Sequence, residues 1–337
     1  MRLFVFLVLA LASAPTVLAQ DVRVLDAPRR IKTRTIREVI EASDLQFDSN
    51  TTHYVHAKAT KGLNQLTIRN IHNAKIHFLG EIRGKVQTKT PWPDDRGVVN
   101  FVDCEDIEVS GLNVHNSQQY QLVPVEVGKH EATALNISRC KNLLVRDSKF
   151  SGLGKGIVVI HSKSKVRMRA CEITGYYLEV QVGASDVELE DVVCHQENLL
   201  APDSHSALYV SSYVKNASNR VYKGTNISLK GMTFNLKTGR GIVTGSGSLD
   251  ARSTLTFEDT PRINHRYPCI GFAVLHRNYQ CISVVLKEKF PGLVDLVRAK
   301  RKGDRGVGRF VIYHDSPGRP HSESPIVVDG LSSETIP

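Results

Sequence analysis

Lys129-His130-Glu131 sets a cation, an imidazole and a carboxylate side by side, with Lys155 and Tyr176 in the next two loop stretches. These are the residue types for taking a proton from a carbon next to a carboxylate. Such an elimination needs a cation to neutralise the carboxylate, a base for the carbon-bound proton and an acid for the departing oxygen. Lys129 or Lys155 can act as base where a crowded basic cleft lowers its pKa, and His130 or Tyr176 can carry the proton. Glu131, with Glu197 or Asp203, could instead supply the carboxylate pair of a hydrolysis.

Other loop residues suit binding: Lys89, Trp92, Arg96, Tyr120, Tyr177, His195, His205, Lys237 and Arg240. The rings offer flat stacking surfaces, and the cations and imidazoles pair with carboxylate or sulfate. The combination describes a cleft for an acidic polysaccharide. No metal site is expected and the sequence requires no cofactor. Asp94-Asp95 could bridge a calcium ion to an acidic sugar, but two acids do not make a site.

The whole chain is consistent with such a ligand. Its 337 residues hold 44 Lys and Arg against 34 Asp and Glu, a formal net charge of +10. That surplus attracts acidic partners. No nucleic-acid-binding module is recognisable, so a polysaccharide rather than a nucleic acid is expected. The basic run Arg298–Lys302 reads as a solvated helix end. Residues 1–19 begin with Arg2, run apolar from Leu3 to Ala12 and end in Val17-Leu18-Ala19, a secretory signal pattern. The mature chain is expected to be secreted or periplasmic, without stable membrane insertion, because no later run approaches about 20 apolar residues. Its oligomeric state is not legible.

Six cysteines in an oxidising compartment suggest pairing. Cys269 and Cys281 flank a hairpin pattern, CIGFAVLHRNYQC, and are the expected disulfide. Cys104 and Cys140 fall at the same place in a repeat and could also pair, whereas Cys194 reads as a small buried hydrophobe. Asn50, Asn136, Asn216 and Asn226 head Asn-X-Ser/Thr triplets, which matter where the host glycosylates.

The element that must hold these residues is a repeat. NISRCKNLLVRDSKFSG, VIHSKSKVRMRACEITG and VQVGASDVELEDVVCHQ share an apolar alternation, a mixed four-residue stretch and a further apolar residue: Phe150, Ile173 or Cys194. Four more segments extend the series, with first strand residues Ile76, Ile107, Leu143, Val166, Val187, Ile227 and Leu255. The spacings of 31, 36, 23, 21, 40 and 28 residues have a floor near one unit, the longer ones being that unit plus an inserted loop. Alternation at two residues is a strand signal, and a second apolar run (VVNFV, ATALNI, GIVVI, ALYVS) precedes several strands. Leu143 and Val145 should point inward, Asp147-Ser148 should turn the chain, and Phe150 should stack between Val114 and Ile173. Outward Arg167 and Arg169 should pair with Glu188 and Glu190 one unit on.

In GIVVIHSKSKVRMRACEITG and its companions, over residues 53–259, the chain resembles the right-handed parallel β-helix proteins, which include pectate lyases, polygalacturonases and uronate epimerases. The resemblance implies an all-β, right-handed parallel β-helix solenoid. It does not supply a catalytic motif. Gly-His-Gly is absent, Arg30-Ile31-Lys32 precedes the first repeat, Pro202-Asp203-Ser204-His205 has the wrong order for an epimerase, and the pectate-lyase Arg-x-Pro-x-x-Arg is missing.

The expected organisation is a signal peptide at 1–19, an N-terminal cap at 20–52 with a short helix on the capping box Thr35–Glu38, the β-helix at 53–259, and a C-terminal α/β extension at 260–337 with a hairpin and a helix at 290–302. Insertions at 83–97, 115–131, 151–156, 174–178, 195–206 and 235–240 leave each unit after its last apolar position and should form one wall. The expected function is lyase-type cleavage of an acidic polysaccharide in that wall. The alternative is a non-catalytic carbohydrate-binding or adhesive surface protein.

Overall fold

A strand with one apolar face is stable only against others that bury the same face, so a chain of short alternating segments must stack them. The computed structural model of the chain describes residues 31–86, 95–118, 133–152, 156–161, 165–175, 180–183, 186–196, 207–211, 213–215, 220–222, 225–236, 243–246, 253–265, 274–276, 282–286, 293–298, 308–314 and 328–329. These are all-β with mainly parallel pairing. Helix among the described residues is confined to Ala57–Thr60 and a 3-10 turn at Ala42–Asp44.

The chain visits three ladders in turn, adding one strand to each per repeat. The first contains His72–Leu79, Glu105–Ser110, the first halves of Lys141–Gly152 and Val166–Gly175, Asp186–Glu190, Asn226–Lys230 and Ser253–Phe257. The second contains Glu81–Gly84, Asn113–Asn116, the second halves of the same two long strands, Val193–Gln196, Thr233–Leu236 and Arg262–His265. Together they belong to a 16-stranded sheet, and the third ladder is a separate 7-stranded sheet running from Leu66–Arg69 to Val243–Ser246.

Register turns each sequence position into a column. Ile107, Leu143, Val166, Val187, Ile227 and Leu255 align directly in the first ladder and are buried, as expected. The member before Ile107 is Ala74 rather than Ile76, because the small Ala74 already occupies an inward position. Phe150 pairs with Val114 on one side and Ile173 on the other, as anticipated. Cys194 continues that buried column.

Corners are columns too. Gly111, Asp147, Ala170, Asp191 and Gly231 have positive φ between the first and second ladders, and Asn73, Asp106 and Asn142 have it where strands of the first ladder begin. Asn and Asp tolerate this left-handed backbone and stack by side-chain hydrogen bonds, Asn73 Nδ2 donating to Asn50 Oδ1 at 2.8 Å and Asn142 Nδ2 to Asp106 Oδ1 at 2.5 Å. Ala170, at φ 50°, has no such side chain.

The outward face of the first ladder is a charge ladder. Lys75 and Arg146 reach Glu108 at 3.5 and 2.8 Å, and Arg169 and Lys230 reach Glu190 at 3.4 and 3.1 Å. Arg167 lies opposite Glu188 in register, Lys165 reaches that carboxylate at 2.6 Å, and Arg167 donates to Asn142 Oδ1 at 3.5 Å. Burial pushes the Glu108 carboxyl up, yet the hydrogen bonds and charges of Arg146 and Lys75 outweigh it and hold it below its ordinary value.

Four cysteines, Cys104, Cys140, Cys171 and Cys194, are buried free thiols. Cys104 and Cys140 share one inward column and donate to carbonyls, including Ile68 O at 3.5 Å and Phe101 O at 3.4 Å. Burial pushes the thiols of Cys171 and Cys194 up to about 12. Cys269 and Cys281 lie outside the described residues.

Several expectations at the ends are corrected. Thr35–Val39 is a strand paired in parallel with Thr51–Val55, not a capped helix. Its β-branched residues fit the open edge, and the capping box forms instead between Glu41 and Asp44. Residues 293–298 are a strand in a three-stranded antiparallel sheet with 274–276 and 308–314, although LVDLVR alternates on neither face, and its pairing shifts register between Leu293 and Leu296. Of the expected hairpin at 269–281 only 274–276 is described, while Ile282–Leu286 after it pairs in parallel with Ser253–Phe257. The parallel period therefore continues past Thr260, and the described part of the C-terminal extension is strand rather than α/β.

Ala170→Gly should raise stability by up to about 1 kcal/mol, because relief of the left-handed penalty exceeds the added unfolded-state freedom; a thermal midpoint that falls instead would refute the strain. Glu108 contributes stability that is present above its ordinary pKa of 4.5 and is lost as pH falls through its lowered folded value. Denaturant midpoints should therefore drop on acidification below about 4.5 in the wild type. Glu108→Gln should flatten that drop and cost about 1–3 kcal/mol at neutral pH.

Candidate functional site

Outward side chains of the second ladder are polar except Val193, because the alternation that buries Ile82, Val114, Phe150, Ile173, Cys194 and Phe234 turns their neighbours to the surface. One outward column reads Arg83, His115, Ser151, Thr174, His195, Asn235 and Asn264. The column beside it runs Glu81, Asn113, Lys149, Glu172, Val193, Thr233 and Arg262. Successive members stand about 4.8 Å apart, the spacing of paired strands.

The long insertions leave beside these columns. Gly84, Asn116, Gly152, Gly175 and Gln196 end their strands at one register position, as expected, although the first two residues of each expected insertion (83–84, 115–116, 151–152, 174–175, 195–196) are still strand. Two features hold that edge. A Cβ on Gly84 would come within 2.2 Å of Asn64 O and 2.8 Å of Val98. Asn116, fully buried, donates to Val86 O and Thr133 O at 2.9 Å each and accepts from Gln118 N at 2.9 Å.

Hydrogen bonds link the columns into a relay. Asn264 Nδ2 donates to Asn235 Oδ1 at 2.7 Å, which turns the Asn235 amide nitrogen toward His195 Nδ1 at 3.0 Å. Nδ1 of the neutral ring thus accepts, and Nε2 carries the proton toward Glu172 Oε1 at 3.5 Å. The second oxygen of Glu172 takes Lys149 Nζ at 2.9 Å. Next to it, His115 Nδ1 and Ser151 Oγ are 2.9 Å apart. A groove of about 320 Å³ lies over Asn113, His115, Lys149, Ser151, Glu172 and Thr174. A second hollow of about 400 Å³ opens at the Arg83 end, lined by Lys58, Lys61 and Glu81.

Of the residues singled out in the sequence, His195 takes part in this face. Arg96 does not: it is 1% exposed, where a loop position had been expected to present it. It precedes Gly97–Val102 of the third ladder, whose outward Asn100 and Val102 are as buried as its inward Val99 and Phe101. Burial, and then the Arg96 charge, hold the His161 imidazole well below its ordinary range. The signal was present, since GIVVI is continuously apolar and VVNFV and ATALNI are broken only by a few Asn and Thr, the pattern that strands buried on both faces show. Asn136 is buried for the same reason, with its amide donating to Asn100 Oδ1 at 3.2 Å, so its triplet is closed to modification in the folded chain. Lys129, His130, Glu131, Lys155, Tyr176, Lys89, Trp92, Tyr120, Tyr177, His205, Lys237 and Arg240 lie outside the described residues, as does Asp94.

Sequence reasoning looked past His115, Ser151, Lys149, Glu172 and Asn235 because it weighed loops over strands. They were findable as the polar alternates of the last strand in each unit. No group of three or more His, Cys, Asp or Glu among the described residues is arranged to hold a metal ion.

The relay fixes a tautomer, which nitrogen-15 shifts of the His195 ring can read. The Nε2–H form should dominate in the neutral ring, and Asn235→Ala should restore a mixture; an unchanged tautomer ratio would dismiss the relay. No protein-family model, curated protein or solved structure matches the chain, so the chemistry of this face is argued from its own residues.

Proposed function

We propose that the three ladders are the walls of a right-handed parallel β-helix, exported by its N-terminal signal, which holds an acidic polysaccharide along the outward face of the second ladder. The observation that carries this reading is the unbroken polar column from Arg83 to Asn264, beside the register position at which the second-ladder strands end. A repeating column of donors and acceptors matches a repeating polar polymer better than a compact ligand. Lys58, Lys61, Arg83 and Lys149 along the face, with the net charge of +10, favour an acidic one. The loop residues Trp92, Tyr120, Tyr176 and Tyr177 would then add stacking surfaces to the same wall.

Lyase-type cleavage is the second reading, and the His195 relay favours it. An imidazole held in one tautomer between an amide and a carboxylate is a group positioned to move a proton. Lys129, His130 and Tyr176 remain its other candidate acids and bases.

Binding can be measured against pectate, alginate, chondroitin sulfate and a neutral glucan. The acidic polymers should bind preferentially and less tightly as salt rises. Arg83→Ala and Lys149→Ala should each weaken binding roughly 5- to 30-fold, in line with about 1–2 kcal/mol for a charged contact, while Arg167→Ala on the first ladder should not. Equal affinity for the neutral glucan would overturn the reading. Ultraviolet absorbance of unsaturated ends, lost in His195→Ala, tests the cleavage.

A further inference from the structure

Two Ser–His pairs lie on outward faces of adjacent strands. In the first ladder His77 Nδ1 and Ser110 Oγ are 2.6 Å apart. Ser110 is only 8% exposed, and Tyr54 stacks on the His77 ring with centroids 5.0 Å apart. That pair is shut in by its neighbours. The second pair, His115 Nδ1 and Ser151 Oγ at 2.9 Å, stands in the open groove of the second ladder.

A serine hydroxyl is a weak nucleophile until a base within hydrogen-bond reach takes its proton. When the neutral His115 ring carries its proton on Nε2, Nδ1 is that base. The neighbouring column supplies the complementary charge. Asn113 and Lys149 stand two residues before His115 and Ser151 on their strands, on the same face and about 6.6 Å away along each strand. Glu172 fixes the Lys149 ammonium at the groove rim at 2.9 Å. Nucleophile, base, amide donor and cation thus border one groove of about 320 Å³.

We infer that this groove hydrolyses carboxylic esters, with Ser151 as nucleophile and His115 as general base. Ser151 Oγ attacks the ester carbonyl carbon while its proton passes to His115 Nδ1, and the carbonyl oxygen gathers negative charge beside Lys149 and Asn113. Collapse breaks the bond to the alcohol oxygen, which leaves with the proton from His115, and an acyl group stays on Ser151. Water then attacks the acyl carbon, gives a proton to His115 and releases the carboxylic acid, and Ser151 recovers its proton. Water is the only co-reactant. The inference does not depend on the polysaccharide reading: a short-chain ester of any alcohol that fits the groove is a substrate, and esterified sugars would be the case in which both readings hold.

The test uses the full mature chain with 4-nitrophenyl acetate and a fluorophosphonate probe. Hydrolysis above background should appear, and peptide mass analysis should place the phosphonyl adduct on Ser151. Ser151→Ala and His115→Ala should each lower the rate roughly 100-fold, while Ser110→Ala should leave it unchanged. The adduct on the unaltered chain needs no variant to fold, so it decides the matter even where a substitution disturbs the sheet. An adduct elsewhere, no adduct, or a rate that survives Ser151→Ala in a folded chain overturns the inference, whatever the outcome of the glycan-binding assay.

Discussion

In-register parallel pairing is the constraint on which everything else here depends. When strand follows strand without a shift, each position of the repeat meets its own equivalent above and below, and a residue is chosen for its column before it is chosen for its neighbours along the chain. Inward columns are then aliphatic or aromatic, as in Val114, Phe150 and Ile173. Corner columns carry left-handed backbone, as in Gly111, Asp147 and Asp191. Outward charges must find a partner within the sheet, because like charges directly opposite repel, and where Arg146 faces Arg169 each has its own carboxylate, Glu108 and Glu190.

The two outward faces of the 16-stranded sheet answer that demand differently. In the first ladder each acid is shared by two bases, so Glu108 takes Lys75 from its own column and Arg146 from the next, and Glu190 takes Arg169 and Lys230. Each charge is satisfied within the sheet and little is left for a ligand. In the second ladder short polar side chains replace most of the charges, and His115, Ser151, Thr174 and His195 keep donors and acceptors at a groove. Dense charge pairing makes one face a support, while on the other only a few pairs such as Lys149–Glu172 stand among uncharged donors and acceptors at a groove.

This division explains what could be read from sequence. Period two announced the inward columns, so Leu143, Val145 and Phe150 were legible, and the turn at Asp147 followed from its residue type. The strand at 35–39 was not, because Thr35–Glu38 satisfies a capping signal and the neighbouring edge that overrides it is distant information. Leu293–Arg298 lacks the alternation of a strand, and only its antiparallel partner makes it one. Arg96 was misplaced because burial of the outer face of the third ladder depends on what lies over it, not on the local pattern. Ser151 was noted only as the point where a loop departs, since one serine at a strand end carries no sign of the histidine 36 positions earlier that register brings beside it.

Register also decides the fate of sulfur. Cys171 and Cys194 sit in inward columns where burial raises their thiols to about 12, far above any pH at which a thiolate would form. A thiol that does not ionise does not attack a disulfide. Once the repeats have closed over them these cysteines are deaf to the redox poise around them, and an oxidant can reach them only on the nascent chain. Their chemical survival is therefore a race between stacking and oxidation, decided by how fast the repeats assemble and not by the potential of the compartment in which they come to rest.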